Sequence, residues 1–355
     1  MKRHLSVLFA SSLALAACTQ NTTQPAAAPA PSTTATSTST STSISASNPF
    51  FAPSTLPFQA PDFSRIKDSD YQPAFEEGMR QELAAAEGIA NQSAAPTFDN
   101  TIVAMERAGD VLRRVSKVFF ALTASNTSDT IQKIEADVSP KLAAHQDEIY
   151  MNPKLFARVK SLYGRRDTLG LDAEGKFLVE RYYKNFVRAG AQLSEADKAA
   201  LRALNQEESK LTTSFREKVL ADTNESAIVI SDRSELEGLS DAEIAAAADE
   251  AKGRKLEGKW VLALRNTTQQ PLMASLKNRS VRQRLLAAST ARGNHGGPND
   301  TKAIVTRLAQ LRAQRANLLG YPTYAAYALD DQMATTPANA IKLLTDLVPA
   351  ATAKA

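Results

Sequence analysis

Apolar residues recur every three or four positions along most of this chain, the spacing of one face of an α-helix. Phe75, Met79 and Leu83 follow that rule behind Pro73, which suits a helix start. Asp99 or Asn100 is placed to cap a helix carrying Ile102, Met105, Leu112, Val115 and Phe119. Ile131, Ile134, Val138, Leu142 and Ile149 continue the pattern as far as Asn152-Pro153, and Leu155, Val159 and Leu162 begin a shorter helix. Phe177, Glu180, Arg181, Lys184 and Arg188 lie on a long amphipathic stretch whose core face is Tyr182, Tyr183, Phe186 and Val187. Ser194 starts a helix expected to bury Leu201, Leu204, Leu211, Phe215 and Val219. Ser240-Asp241-Ala242-Glu243 reads as a capping box, with Leu239 and Ile244 as its hydrophobic staple. Helix resumes at Met273 and again from Asp300 through Leu319, where Gly320-Tyr321-Pro322 supplies a stop. A final helix starts near Ala338, with Ile341, Leu344 and Leu347 periodic.

Two runs break the helical period. Ala227-Ile228-Val229-Ile230 and Lys259-Trp260-Val261-Leu262-Ala263-Leu264 are rich in β-branched or aromatic residues and too short for helices. They are expected to pair as a minor β ribbon. No fixed-period repeat is visible, which excludes a solenoid. The sequence therefore predicts a mostly α fold.

The first 47 residues follow another pattern. Lys2, Arg3 and His4 precede the mostly apolar run Leu5 to Ala14, and Leu15-Ala16-Ala17 lead to Cys18. A basic start, a short apolar core and small residues before the cut describe a signal peptide over residues 1–17. Small residues before the chain's one cysteine also resemble a bacterial lipobox, so Cys18 is expected to carry lipid. Thr19 and Gln20 follow, and no Asp sits beside the cysteine. The expected location is thus the cell envelope, on the outer membrane and facing the periplasm. Residues 19–47 are almost entirely Thr, Ser, Ala and Pro, a composition that buries little apolar area and predicts a disordered tether. The folded body is expected over 48–355. It opens with an extended arm, since Pro49, Pro53, Pro57 and Pro61 oppose helix, and Phe50, Phe51, Leu56, Phe58 and Phe63 are its apolar anchors.

Composition narrows the functional classes. The net charge of +4 is small, and no Lys/Arg block alternates with aromatics, so nucleic acid is not an expected partner. With one cysteine there is no internal disulfide, and stability rests on packing. The histidines are His4, His145 and His295. No His-Glu-x-x-His pair is present, so the ordinary expectation for His145 and His295 is two unrelated surface side chains. There is no Gly-x-Ser-x-Gly and no glycine-rich phosphate loop. Glu76-Glu77 and Glu207-Glu208 are expected on solvated helix faces. Residue by residue, the sequence supplies a scaffold and no catalytic or metal-ligating set.

Several stretches in order resemble a known family. They are Asn48-Pro49-Phe50, Ser54-Thr55-Leu56-Pro57, Asp70-Tyr71-Gln72-Pro73-Ala74-Phe75 and Thr97-Phe98-Asp99-Asn100-Thr101 leading to Met105-Glu106. Asn278-Arg279 with Arg282, then Arg312, Ala316, Leu318-Leu319-Gly320-Tyr321, Tyr324-Ala325-Ala326-Tyr327, Met333-Ala334 and Pro337 complete the set. Together they resemble the zinc oligopeptidases related to thimet oligopeptidase, and most closely the bacterial peptidyl-dipeptidase branch. The resemblance implies a helical, two-lobed fold around a deep channel, of which this chain supplies the front portion. It implies a Zn2+-dependent enzyme that removes C-terminal dipeptides from short peptides. In that family the His-Glu-x-x-His and the third ligand Glu lie further along than this chain reaches, so no catalytic or zinc-binding residue carries over. Pro349 and the helix-favouring Ala350 to Ala355 suggest the first turn of a further helix, and with it a truncated enzyme. The alternative is a non-catalytic helical lipoprotein that binds peptides or a protein partner.

The lipobox reading has a direct test. Cys18→Ala is expected to abolish incorporation of a radioactive fatty acid in growing cells, and continued labelling of the variant would refute lipid attachment at this residue.

Overall fold

The computed structural model describes residues 48–355, and the predicted signal peptide, lipidated Cys18 and tether lie outside them. The described chain is mostly α with one small β ribbon. An arm (48–67) leads into α1 (Asp68–Ala90), a wide turn (Phe98–Val103), α2 (Ala104–Arg107), α3 (Asp110–Ser125), α4 (Asp129–Tyr150), α5 (Pro153–Gly164) and α6 (Ala173–Arg188). Then come α7 (Glu195–Glu225), β1 (Ile228–Ile230), α8 (Asp241–Gly253), β2 (Trp260–Leu262), α9 (Asn266–Ser275) and α10 (Arg279–Thr290). α11 (Lys302–Leu318), α12 (Tyr324–Leu329) and α13 (Pro337–Lys354) complete the order. Among the described residues no helix is long and apolar enough to cross a membrane.

Three apolar clusters hold these elements. Tyr71, Ala74 and Phe75 of α1 pack with Val115 and Phe119 of α3 and with Ile134 and Val138 of α4. The far end of α1, through Ala86 and Ile89, joins Leu155, Val159, Val179 and Phe186 from α5 and α6. A third cluster gathers Ile230, Leu236, Leu262, Leu272 and Leu285 around the ribbon. α1 and α3 approach at Gly78, where an added Cβ would lie 2.8 Å from the Leu112 backbone. Any larger residue there would force the helices apart, at the cost of the Phe75–Phe119 edge contact with ring centres 5.2 Å apart.

The ribbon is antiparallel, with Ile228 opposite Leu262 and Ile230 opposite Trp260. α11 ends as expected: Gly320 takes φ 82, the Tyr321 amide donates to the Ala316 carbonyl, and the Gly320 amide donates to that of Asn317.

Several expectations are corrected. α1 starts at Asp68, so Pro73 lies more than a turn inside it; the Asp70 carboxylate accepts from the Lys67 amide at 2.8 Å and sets the earlier start. The cap before Ile102 is Thr97, whose hydroxyl accepts from the Asn100 amide at 3.0 Å, not Asp99 or Asn100. That helix does not run on to Phe119, because the chain turns extended at Ala108 before α3 begins. α9 begins at Asn266, ahead of Met273, and ends at Leu276 in extended backbone. On α7 only Leu201 of the five expected residues is buried; Leu204, Leu211, Phe215 and Val219 are half-buried, because polar pairs take the interior of that contact. α13 continues through Pro349, which forfeits one amide donor in an otherwise helix-favouring stretch. It exposes Ile341, Leu343, Leu344, Leu347 and Val348. In the arm, Phe50 is buried, whereas Leu56, Phe58 and Phe63 point to solvent.

The capping box at α8 is present. The Ser240 hydroxyl accepts from the Glu243 amide at 3.3 Å, and the Glu243 carboxylate accepts from the Ser240 amide at 2.8 Å. Leu239 and Ile244 both pack on the third cluster. Ser240→Ala is therefore expected to lower stability by about 0.5–2 kcal/mol, read from the urea unfolding midpoint. An unchanged midpoint would mean the cap contributes nothing.

Candidate functional site

α4 and α7 run antiparallel, with Asp147 meeting Asn205 and Glu135 meeting Arg216. Between them lies an open cleft of about 500 Å³. Leu142 and Phe120 give it an apolar wall, while Ser139, Asp147, Asn205 and Arg315 give it polar ones. The reason is a change of pattern on α7. Asn205, Glu208 and Thr212 follow Leu201 at helical spacing, so polar groups occupy positions that an ordinary packed helix fills with leucine.

Asp147 is the most unusual of these side chains. It is 5% exposed. One carboxylate oxygen accepts from the Asn205 amide at 2.6 Å, and the other is buried without a hydrogen-bond partner among the described residues. Burial pushes its pKa from 3.8 up to about 6, against the opposing pull of Asn205, Arg202 and Arg315. Its titration thus falls near neutrality. The Ser139 hydroxyl is likewise buried and unpartnered among the described residues.

The flanking acids are paired. Glu135 lies 2.5 Å from Arg216, although the approach is out of line for a hydrogen bond to that oxygen. Burial, and then the Glu135 charge, push the nearby Glu217 carboxyl up. Glu207 and Glu208 were expected on solvated faces. Glu207 keeps solvent contact while making two bonds to Arg307 of α11, at 2.6 and 2.7 Å, whereas Glu208 is largely covered and lies 3.2 Å from Arg312 and 2.8 Å from Arg315. Arg315 also donates to Asn205, so α11 reaches back to the Asp147 pair. Glu76 and Glu77 remain near the surface, beside Lys141 and Arg80.

The two histidines differ: His295 is the exposed side chain expected of it, whereas His145 is not. His145 is 5% exposed, and its Nε2 lies 2.7 Å from Glu82 of α1, which locks α4 to α1. His295 is exposed, and its Nδ1 lies within hydrogen-bond distance of Asp222, at 2.9 Å. Asp222 also accepts from the Gly293 amide at 2.8 Å, tying the loop before α11 to the end of α7. Each histidine is thus held by its own carboxylate. Among the described residues no group of three or more His, Cys, Asp or Glu side chains could hold a metal. These residues do not fit a zinc centre. Cys18, the predicted lipid site, lies outside the described residues.

Comparison with known proteins gives this scaffold its class. Residues 272–355 match the model of peptidase family M3. The chain is 45% identical over 308 residues to a dipeptidyl carboxypeptidase of Escherichia coli (strain K12), covering 87% of this chain and 45% of that protein. A dipeptidyl carboxypeptidase of Salmonella typhimurium is also 45% identical, over 306 residues, covering 86% of this chain and 45% of the relative. An oligopeptidase A of Salmonella typhimurium is 25% identical over 299 residues, covering 83% and 44%. The resemblance carried by the motifs is therefore real: the chain is similar to the peptidyl-dipeptidases of family M3. It spans about half the length of the curated relatives it matches.

Asp147 makes a pH-dependent prediction. Its carboxyl holds a proton more tightly folded than unfolded, so between about pH 4 and pH 6 the native state binds more protons and stability falls as pH rises. Asp147→Asn removes that penalty. The stability of the variant relative to wild type should rise by about 1–3 kcal/mol between roughly pH 4 and pH 7, measured by urea unfolding at each pH. A pH-independent difference would show that this carboxyl titrates as it does in water.

Proposed function

We propose that these residues form the front part of a zinc peptidyl-dipeptidase that removes C-terminal dipeptides from short peptides. The observation that carries this reading is the 45% identity to two dipeptidyl carboxypeptidases over most of the chain. The lower identity of 25% to an oligopeptidase A favours the dipeptide-releasing branch over the endopeptidases. On this reading the helices act by steric selection, as one wall that admits short unfolded peptides. The zinc belongs to the part of the relatives that lies outside the match. The apolar face exposed on α13 suits packing against such further polypeptide.

We also infer that the chain is held in the cell envelope by lipid on Cys18, on the outer membrane and facing the periplasm. The support is the order of basic start, apolar run and small residues before the chain's one cysteine. Stable attachment takes more than one acyl chain, which a diacylglycerol thioether with a further amide-linked chain would supply.

The enzymatic reading is tested by zinc content and dipeptide release. A catalytic zinc needs about three protein ligands and a water. The 355-residue chain alone is expected to hold no stoichiometric zinc and to leave a blocked short peptide intact. A chimera joining it to the remaining half of the Escherichia coli relative is expected to bind one zinc and release C-terminal dipeptides, with activity lost to a chelator. Chelator-sensitive cleavage by the chain alone would overturn this division of labour. A folded chimera that binds zinc but releases no dipeptide would overturn the assigned activity.

A further inference from the structure

The arm holds an exposed apolar loop that no part of the peptidase reading uses. Phe58 is 104% exposed, Phe63 59% and Leu56 41%. Phe58 and Gln59 both take φ 56, a left-handed backbone that residues with a Cβ avoid. That turn directs the loop outward, while Phe50 anchors the arm against Tyr71, with ring centres 5.4 Å apart, and Ile66 packs on the same cluster. Arg114 fixes the base of the arm by donating to the Phe50 carbonyl at 3.0 Å and the Phe51 carbonyl at 2.9 Å.

Along the arm the charge is mixed, with Asp62, Asp68 and Asp70 flanking Arg65 and Lys67, and it turns positive on the side that faces α3. Arg65, Lys67 and Lys117 are exposed and form no ion pair among the described residues. A cavity of about 400 Å³ separates the loop from α3, and its lining sets Arg65, Arg114 and Lys117 against one carboxylate, Asp62. Exposed apolar side chains beside the unpaired cations of this α3-facing side match the two demands of a lipid surface: an apolar body for the acyl boundary and positive charge for the headgroups.

We propose that the loop around Phe58 docks on an anionic lipid surface. Phe58, Phe63 and Leu56 enter the boundary between headgroups and acyl chains, and Arg65, Lys67 and Lys117 meet the phosphates. A protein partner fits less well. Three side chains offer on the order of 500 Å², whereas a stable protein interface buries about 1,200 Å² or more in well-matched surface. A bilayer needs no matching shape. The docking rests neither on the peptidase reading nor on lipid at Cys18.

The test places an indole at the loop tip. Phe58→Trp is made in the full chain, and the parent, whose one tryptophan is Trp260, supplies the background. Both proteins are reconstituted with vesicles of phosphatidylglycerol and phosphatidylethanolamine that carry brominated acyl chains. Emission from the loop tip is expected to shift to the blue and to be quenched by bromine. Arg65→Glu with Lys117→Glu should weaken the inserted population about fivefold or more, and raised salt should act in the same direction. Equal thermal unfolding of all variants checks that the fold is kept, as full exposure of Phe58 predicts. Solvent-like, unquenched emission would overturn the proposal. So would a blue shift without quenching, which would mean the loop packs on protein, or equal quenching in zwitterionic phosphatidylcholine vesicles, which would remove the role of the cations.

Discussion

The packing of α7 along α4 is the contact through which the two front clusters meet most of the later helices. None of the three apolar clusters among the described residues draws a side chain from α7, although the helix runs from Glu195 to Glu225. It is held by polar side chains: Asn205 to Asp147, Arg216 to Glu135, and Glu207 and Glu208 to the arginines of α11. Such a contact fixes register well, because a slip of one residue breaks several hydrogen bonds and strands buried charge. It adds little net stability, since each paired charge has first lost water.

That arrangement explains why an acid as buried as Asp147 is tolerated. Its neighbours were already committed to polar pairs, so one more carboxyl costs less there than it would in a leucine seam. The penalty that remains appears as its raised pKa. His145 and His295 follow the same rule. Each is bound by a carboxylate from another element, Glu82 and Asp222, and so each serves as a tie between elements. The histidines and acids that a search for chemistry singles out are here the fasteners of the scaffold.

The relatives give these fasteners a context. Under the proposed function these helices are a wall that keeps its shape while peptides pass along it, and polar register locks suit that task. The arm has a different character. It is anchored at Phe50, Ile66 and Arg114, and its loop from Leu56 to Phe63 turns outward, so those apolar residues serve contacts made elsewhere than the core.

Local pattern alone determined the helical class, the two short strand segments, the capping box at Ser240 and the stop at Gly320, because each depends on residues near one another in the chain. The motifs from Asn48 to Pro337, taken in order, also pointed to the relatives the chain is similar to. Local spacing could not say which polar residues would be buried. Asp147, Glu135 and Glu208 look like ordinary solvated acids until α7 and α11 fold against them, and Leu56, Phe58 and Phe63 look like core until the arm turns outward. Thr97 displaced Asp99 as a cap, and α1 began earlier than Pro73, because side-chain hydrogen bonds with specific backbone amides outrank propensity at helix ends. Burial is a property of what packs across a residue, often from far away in the chain, so only the tertiary structure decided it.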